Sequence, residues 1–230
     1  MTGVIALQGG GPFTANDDLD ARLLAEVGAI GADGADGAGR RVVVLPTADA
    51  FEHPERLVTA AIGWAERLGV EVEALMVLRR GEAMDDGAAE VVRAARAVYL
   101  VGDQPLHLRS VLKDTPLWHA IVDVLAAGGL VVGVGACASA LCDPMVDPRG
   151  GAFTLGLGMV TGLGVVTPSR AGRPNGCSAP CAWPTPPSPA CRRAAPSCVG
   201  TRRGRRWATS TCTASSPEGT PAGEAVISSR

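Results

Sequence analysis

The chemistry this 230-residue sequence can offer is concentrated in three glycine-containing segments and one cysteine. The sharpest is Gly135-Ala136-Cys137-Ala138-Ser139, a glycine, x, nucleophile, x, small pattern that follows an apolar run. Small neighbours let a chain turn abruptly from strand to helix, lift a nucleophile out of a sheet and aim backbone N–H groups at an oxyanion. Cys137 is therefore the nucleophile candidate, and it reads equally as a small buried residue at a crowded junction. Gly9-Gly10-Gly11 suits an anion held by backbone N–H groups at a helix start. Its spacing is neither G-x-G-x-x-G nor a P-loop, so it also reads as a plain tight turn. Gly102-Asp103-Gln104 closes another apolar run. Asp103 suits an N-cap there, and Gly102 suits a place where a backbone N–H faces a substrate carbonyl. A nucleophile needs a base, and the histidines are His53, His107 and His119, all upstream of Cys137. His107, near the start of a helix, is the one placed to approach such a pocket.

The elements that must position these residues follow from hydrophobic period. Val4 to Leu7, Arg41 to Leu45, Val70 to Leu78, Ala97 to Val101 and Gly129 to Gly133 read as buried strands. Between them Asp17 to Val27, Pro54 to Leu68, Ala88 to Ala97 and Leu106 to Leu125 carry apolar residues at helical spacing. Near-continuous β-branched runs alternating with amphipathic helices predict a parallel α/β sheet covered on both faces. Ligands of such sheets bind outside the carboxyl ends of the strands, where the three glycine segments fall.

Composition divides the chain at Thr167. Residues 1–166 hold 12 Lys and Arg against 21 Asp and Glu, whereas residues 167–230 hold 9 Arg against Glu218 and Glu224. The second part also has 10 of the 17 prolines and 5 of the 7 cysteines. Its large apolar residues are Trp183, Val199, Trp207, Val226 and Ile227, too few to build a core. The expected organisation is one α/β domain over 1–167 and a Pro/Arg/Cys-rich tail of low order over 168–230. In that tail Cys177 and Cys181 are spaced C-x₃-C without a His or a second close pair, so no zinc site or other metal is expected. Arg202-Arg-Gly-Arg-Arg206 lacks interleaved aromatics, which favours incidental charge over nucleic-acid binding. No run reaches the ~18 apolar residues of a membrane span, and Met1 leads directly into Gly3-Val-Ile-Ala-Leu7. A cytoplasmic protein without a membrane partner is the expectation.

Longer segments carry a resemblance. They are Ala6-Leu-Gln-Gly-Gly-Gly-Pro-Phe-Thr14, Asp20-Ala-Arg-Leu-Leu24, Val43-Val-Leu-Pro-Thr-Ala48, Phe51-Glu-His-Pro-Glu-Arg56, Val98-Tyr-Leu-Val-Gly-Asp103, Pro105 to Asp114 and Leu141 to Gly150. With them residues 1–167 resemble the actinobacterial branch of the cyanophycinase and peptidase E family of class I glutamine amidotransferase-like serine hydrolases. The resemblance implies a flavodoxin-like sheet, no cofactor, and acyl-transfer hydrolysis of peptide bonds next to acidic residues. It implies a nucleophile in G-[TS]-S-A-G-A after a strand, an oxyanion hole on the glycine of a strand-end G-G-[ND] loop, and a downstream His base.

Carried over residue by residue, Gly102 takes the oxyanion hole, while Gly10, Gly11, Asp103, Gln104 and Ser139 line the site of a small peptide or amide substrate. At the elbow two registers compete. One puts Gly135 at the nucleophile, leaving none; the other puts Cys137 there and Ser139 at a glycine. The expected downstream His is missing beyond Val165-Val-Thr-Pro168, where the composition breaks. Codons read from the third base of the preceding one permit an amphipathic helix from Arg173 and an alternating strand from Trp207, as a change of reading frame near Ser169 would produce. The expectation is an impaired hydrolase of this family. Its alternatives are a catalytically silent flavodoxin-like binding module and a Cys137-dependent glutaminase-like subunit, and a homo-oligomer is compatible with each.

Overall fold

Short β-branched runs closed by glycine or proline form the central sheet of the computed structural model, which describes residues 3–30 and 41–166 and the backbone of residues 224–228. The strands are β1 (Val4–Gln8), β2 (Val42–Leu45), β3 (Val72–Ala74), β4 (Ala97–Leu100) and β5 (Leu130–Val134). The helices are α1 (Asp17–Glu26), α2 (Pro54–Leu68), α3 (Arg80–Ala83), α4 (Asp86–Arg93), α5 (Pro105–Leu112), α6 (Pro116–Ala126) and α7 (Ala136–Leu141). Beyond α7 come the two-residue strands β6 (Cys142–Asp143), β7 (Met145–Val146), β8 (Phe153–Thr154) and β9 (Val160–Thr161), which form two small paired ribbons. Strand β10 (Glu224–Ser228) completes a six-stranded sheet of order β10-β1-β5-β4-β2-β3. All of its pairs are parallel except β10 with β1.

The two-residue period of each strand divides the core between the faces of the sheet. Val43, Leu45, Val98, Leu100 and Val131 pack with Val92, Leu108, Leu112, Ile121 and Leu125 from α4, α5 and α6. Their strand neighbours Val42, Val44, Ala97, Tyr99, Leu130 and Val132 pack with Leu19, Leu23, Leu24 and Trp64 from α1 and α2. This is the α/β sheet covered on both faces that the pattern predicts, in the flavodoxin-like arrangement that the resemblance implies.

The expected helix Ala88 to Ala97 lies earlier, as α4 from Asp86 to Arg93, and two further stretches depart from the expectation. The expected helix Leu106 to Leu125 is two helices, because Pro116 cannot continue a helix and Asp114 adopts φ 58° before it. Thr115 restarts the helix: its hydroxyl accepts from the Trp118 N–H at 3.2 Å and donates to the Leu112 carbonyl at 2.7 Å, fully buried. Replacing Thr115 with Ala is expected to cost about 1–2 kcal/mol, read as a lower urea midpoint with unchanged slope. The expected strand Val70 to Leu78 shrinks to three half-buried residues at the sheet edge. Past Ala74 its backbone leaves the ladder, and the Val77 carbonyl accepts from the Thr47 hydroxyl at 2.7 Å instead.

The sequence offers no element beyond Thr167, and the structure has one. Glu224–Ser228 runs antiparallel along β1, from Gln8 opposite Glu224 to Val4 opposite Ser228. The rest of the tail, with its cysteines, its basic run and the stretch where a change of reading frame is expected near Ser169, lies outside the described residues.

Candidate functional site

Strand order brings the glycine segments together. Because β5 lies between β1 and β4, the loops leaving these three strands are side by side at their carboxyl ends. The turn after β2 abuts the last of them.

At the centre, β5 turns into α7 at Gly135, which has φ 60° and ψ −125°. This is the sharp strand-to-helix turn on which an elbow nucleophile stands, and glycine reaches it without the strain an L side chain carries. The Gly135 N–H donates to the Gln8 carbonyl at 2.9 Å, tying the elbow to the end of β1. The helix folds closely back on the strand: a Cβ on Gly133 would lie 2.8 Å from Leu141 Cδ1 and 3.0 Å from the Ala138 backbone. A Cβ on Gly135, by contrast, would meet among the described residues only Gly10 Cα at 3.9 Å and Asp103 Oδ1 at 4.0 Å. The elbow therefore faces open space between the first glycine loop and Asp103.

Cys137 stands two residues beyond the turn. Its side chain is fully buried, and its thiol donates to the Gly102 carbonyl at 3.5 Å. Burial pushes this thiol well above the ordinary cysteine range, and the negative charges of Asp49 and Asp103 push it further. Ser139 is also buried, with its hydroxyl oxygen accepting from the Val146 N–H at 3.4 Å. It braces the chain leaving α7.

Gly102 is held against the β2 turn. A Cβ there would lie 2.6 Å from the Ala48 carbonyl carbon and 2.7 Å from the Asp49 nitrogen. The next two N–H groups are engaged by the same turn, Asp103 with the Asp49 carboxylate at 2.9 Å and Gln104 with the Ala48 carbonyl at 2.9 Å. Gln104 is exposed and caps α5. Asp103 and Asp49 are half-buried beside it and give the rim negative charge. On the opposite side Gly10 is half-buried and Gly11 exposed, and the Gly11 carbonyl accepts from the N–H groups of Thr14 and Ala15 at 3.2 Å each.

The histidines have other partners. His107 Nε2 donates to the Leu78 carbonyl at 2.9 Å, and its ring meets Phe51 edge-on with centroids 4.7 Å apart. His53 is exposed and pairs with Glu55 at 3.0 Å, and His119 lies exposed on α6. Among the described residues no group of three His, Cys, Asp or Glu side chains is placed to hold a metal ion, and no helix is long and apolar enough to cross a membrane.

A polar cluster beneath the first glycine loop escaped the sequence reading. Asp20 of α1 is buried and accepts from Gln8 Nε2 at 2.6 Å, the Tyr99 hydroxyl at 3.0 Å and Trp64 Nε1 at 3.2 Å. Burial raises its carboxyl to about 6, against the opposing effect of those three donors. The available signal was its place on the apolar stripe of α1 with Leu19, Leu23 and Leu24.

The model of Peptidase family S51 matches residues 25–165 of this chain, more than half of it. Among solved structures, a peptidase from an acI-B1 Actinobacterium is similar, with a TM-score of 0.61 and 28% identity over 69% of this chain and 65% of that one. The chain thus spans less than two thirds of that peptidase's length. A protein provisionally named peptidase E, from Listeria monocytogenes EGD-e, matches with a TM-score of 0.49 and 20% identity over 70% of this chain and 76% of that one. Among curated proteins none matches this chain.

Proposed function

Because the chain belongs to peptidase family S51, the peptidase E and cyanophycinase family, we propose that it keeps that family's acyl-transfer cleft as a binding site for a small peptide or amide and lacks the nucleophile that would turn it over. The observation that carries this reading is Gly135, a residue with no side chain at the turn from which a serine-type nucleophile would project. Acyl transfer needs an attacking atom in the cleft, a base within hydrogen-bond reach of it, and donors for the oxyanion. The N–H groups of Asp103 and Gln104 after Gly102 are taken by the β2 turn, while a Cβ on Gly135 would stand 3.9 Å from Gly10 Cα and 4.0 Å from Asp103 Oδ1. Cys137 does not substitute for the missing group. Its fully buried thiol donates to the Gly102 carbonyl, and a thiol held in its neutral form is a poor nucleophile.

The acidic-residue preference implied for the family sets the probes: N-terminal-aspartyl dipeptides, with their alanyl counterparts as controls. The expected result is a concentration-dependent rise in melting temperature with no new amine product. Saturation at a hundred times the dissociation constant adds about 2.7 kcal/mol. Product formation by the native chain that disappears in Cys137→Ser would overturn the reading in favour of a thiol hydrolase. Product formation that survives Cys137→Ser would place the nucleophile elsewhere.

A further inference from the structure

Asp20 is the one acidic side chain that is fully buried among the described residues, and the acyl-transfer cleft does not use it directly. Its three donors come from three elements, Gln8 at the end of β1, Trp64 on α2 and Tyr99 on β4. No cation faces it. The nearby acid Asp17 is paired with Arg67 of α2 at 2.7 Å, and the same guanidinium donates to the Phe13 carbonyl at 2.7 Å. The Phe13 ring closes the cluster against Trp64 and Tyr99.

The consequence lies in how this carboxylate orients its neighbours. An ionised carboxylate only accepts, so Gln8 must turn its NH₂ toward Asp20 and its Oε1 outward. That oxygen accepts from Asn16 Nδ2 at 3.3 Å, and the same NH₂ reaches the Gly10 carbonyl at 3.4 Å. The orientation leaves Asn16 Oδ1 buried with no partner. A protonated Asp20 reverses the chain. Its O–H donates to Gln8 Oε1, Gln8 Nε2 then donates to Asn16 Oδ1, and the Asn16 NH₂ turns away from Gly10. The proton comes from solvent and no other bond changes. Turning the amide over pairs its oxygen and puts its NH₂ on the side that holds no partner, so each state leaves one end of Asn16 unpaired, which makes the chain a two-position element.

We propose that Asp20 is a positioning residue for the cleft, whose ionisation decides whether Asn16 holds the Gly10 carbonyl beside the elbow or releases it. Gln8 links both sides, since its backbone carbonyl accepts the Gly135 N–H while its side chain contacts Asp20. The inference rests on reading that cleft as a ligand site, although the coupling itself requires no ligand. A carboxyl near 6 puts the change just below neutrality. Tyr99 stays neutral across that range because burial and the adjacent Asp20 both push its hydroxyl up. Raised in the fold, the carboxyl makes its stabilising contribution in full below the ordinary aspartate value. That contribution is lost as pH climbs from 3.8 to about 6.

The test is a pH titration of the full ¹⁵N-labelled chain by NMR, following the Gly10 and Gly135 amides, the Gln8 and Asn16 side-chain NH₂ groups and the Trp64 indole. All are expected to share one midpoint near 6. Asp20→Asn, whose NH₂ donates as the protonated acid does, should hold every signal at its low-pH position and abolish the midpoint. Asn16→Ala should leave Gln8, Gly135 and Trp64 titrating while Gly10 stops. A merely structural Asp20 would move the Trp64 indole and leave Gly10 and Gly135 still, which overturns the proposal, as would a midpoint that persists in Asp20→Asn. Should the titration hold while the dipeptides fail to raise the melting temperature, the positioning stands and the ligand reading falls.

Discussion

Iodoacetamide at neutral pH is expected to leave Cys137 of the native chain unmodified over a time in which a cysteine placed at Gly135 is fully alkylated. The contrast follows from two positions two residues apart. Cys137 is fully buried, hydrogen-bonded to Gly102 and held neutral by its surroundings, so it reacts only when the elbow opens. An opening cost of about 3–4 kcal/mol slows modification by roughly a hundred- to a thousandfold. In Gly135→Cys the sulfur stands in the space bounded by Gly10 and Asp103, where a Cβ has 3.9 Å of clearance from its nearest neighbour. The substitution carries a strain of about 1–3 kcal/mol for its backbone conformation, which the reading of urea midpoints will register. Peptide-resolved mass spectrometry over a time course separates the two sites. Modification of Cys137 at the rate found in denaturant would contradict both its burial and the assignment of Gly135 as the turn residue.

Gly102→Ala is expected to be the most damaging single-methyl change in the cleft. The added carbon would sit 2.6 Å from one backbone atom and 2.7 Å from another, and backbone cannot yield as a flexible side-chain end can. Conformational strain at φ 124° and overpacking, at about 1–3 kcal/mol each, give a loss of about 2–6 kcal/mol. Relief of the clash must part the β4 loop from the Pro46–Asp49 turn, breaking the contacts of Asp103 with Asp49 and of Gln104 with Ala48. Gly10→Ala is the control for strain without the clash, since Gly10 has φ 140° and a Cβ there meets nothing within 4 Å among the described residues. Equal urea midpoints for the two variants would show that the clamp on Gly102 is not the constraint described.

Much of this architecture was legible because its signals are local. The span of α2, Pro54–Leu68, is bounded by a proline at its first turn and Gly69 at its end, and the sequence reading has the same limits. The helix after β4 was misread as continuous because the apolar stripe runs on through Leu117, Ile121 and Leu125, and only Pro116 and the backbone at Asp114 interrupt it. At the cleft, glycine at a strand end announced each loop. Their adjacency was not announced, since it depends on β5 inserting between β1 and β4. Nor does spacing tell which residue of Gly135 to Ser139 makes the turn; that is a property of one pair of backbone angles. Asp20 was illegible for another reason. A carboxylate in the first turn of a helix is ordinarily a solvated partner of the helix dipole, and its burial arises from Trp64 and Tyr99, which are distant in sequence.

The pairing of β1 bears on the order in which this protein matures. The strand that carries the first glycine loop is made before β2, β3 and β4, yet its neighbours in the sheet are β5 and β10. Through the synthesis of β2, β3, β4 and all the helices up to α6, none of the described strands yet made is a sheet partner of β1. The cleft is thus assembled late, by contacts of long sequence separation that close slowly. Until then an apolar strand with two free edges is exposed to neighbouring chains, a liability that chaperones commonly cover.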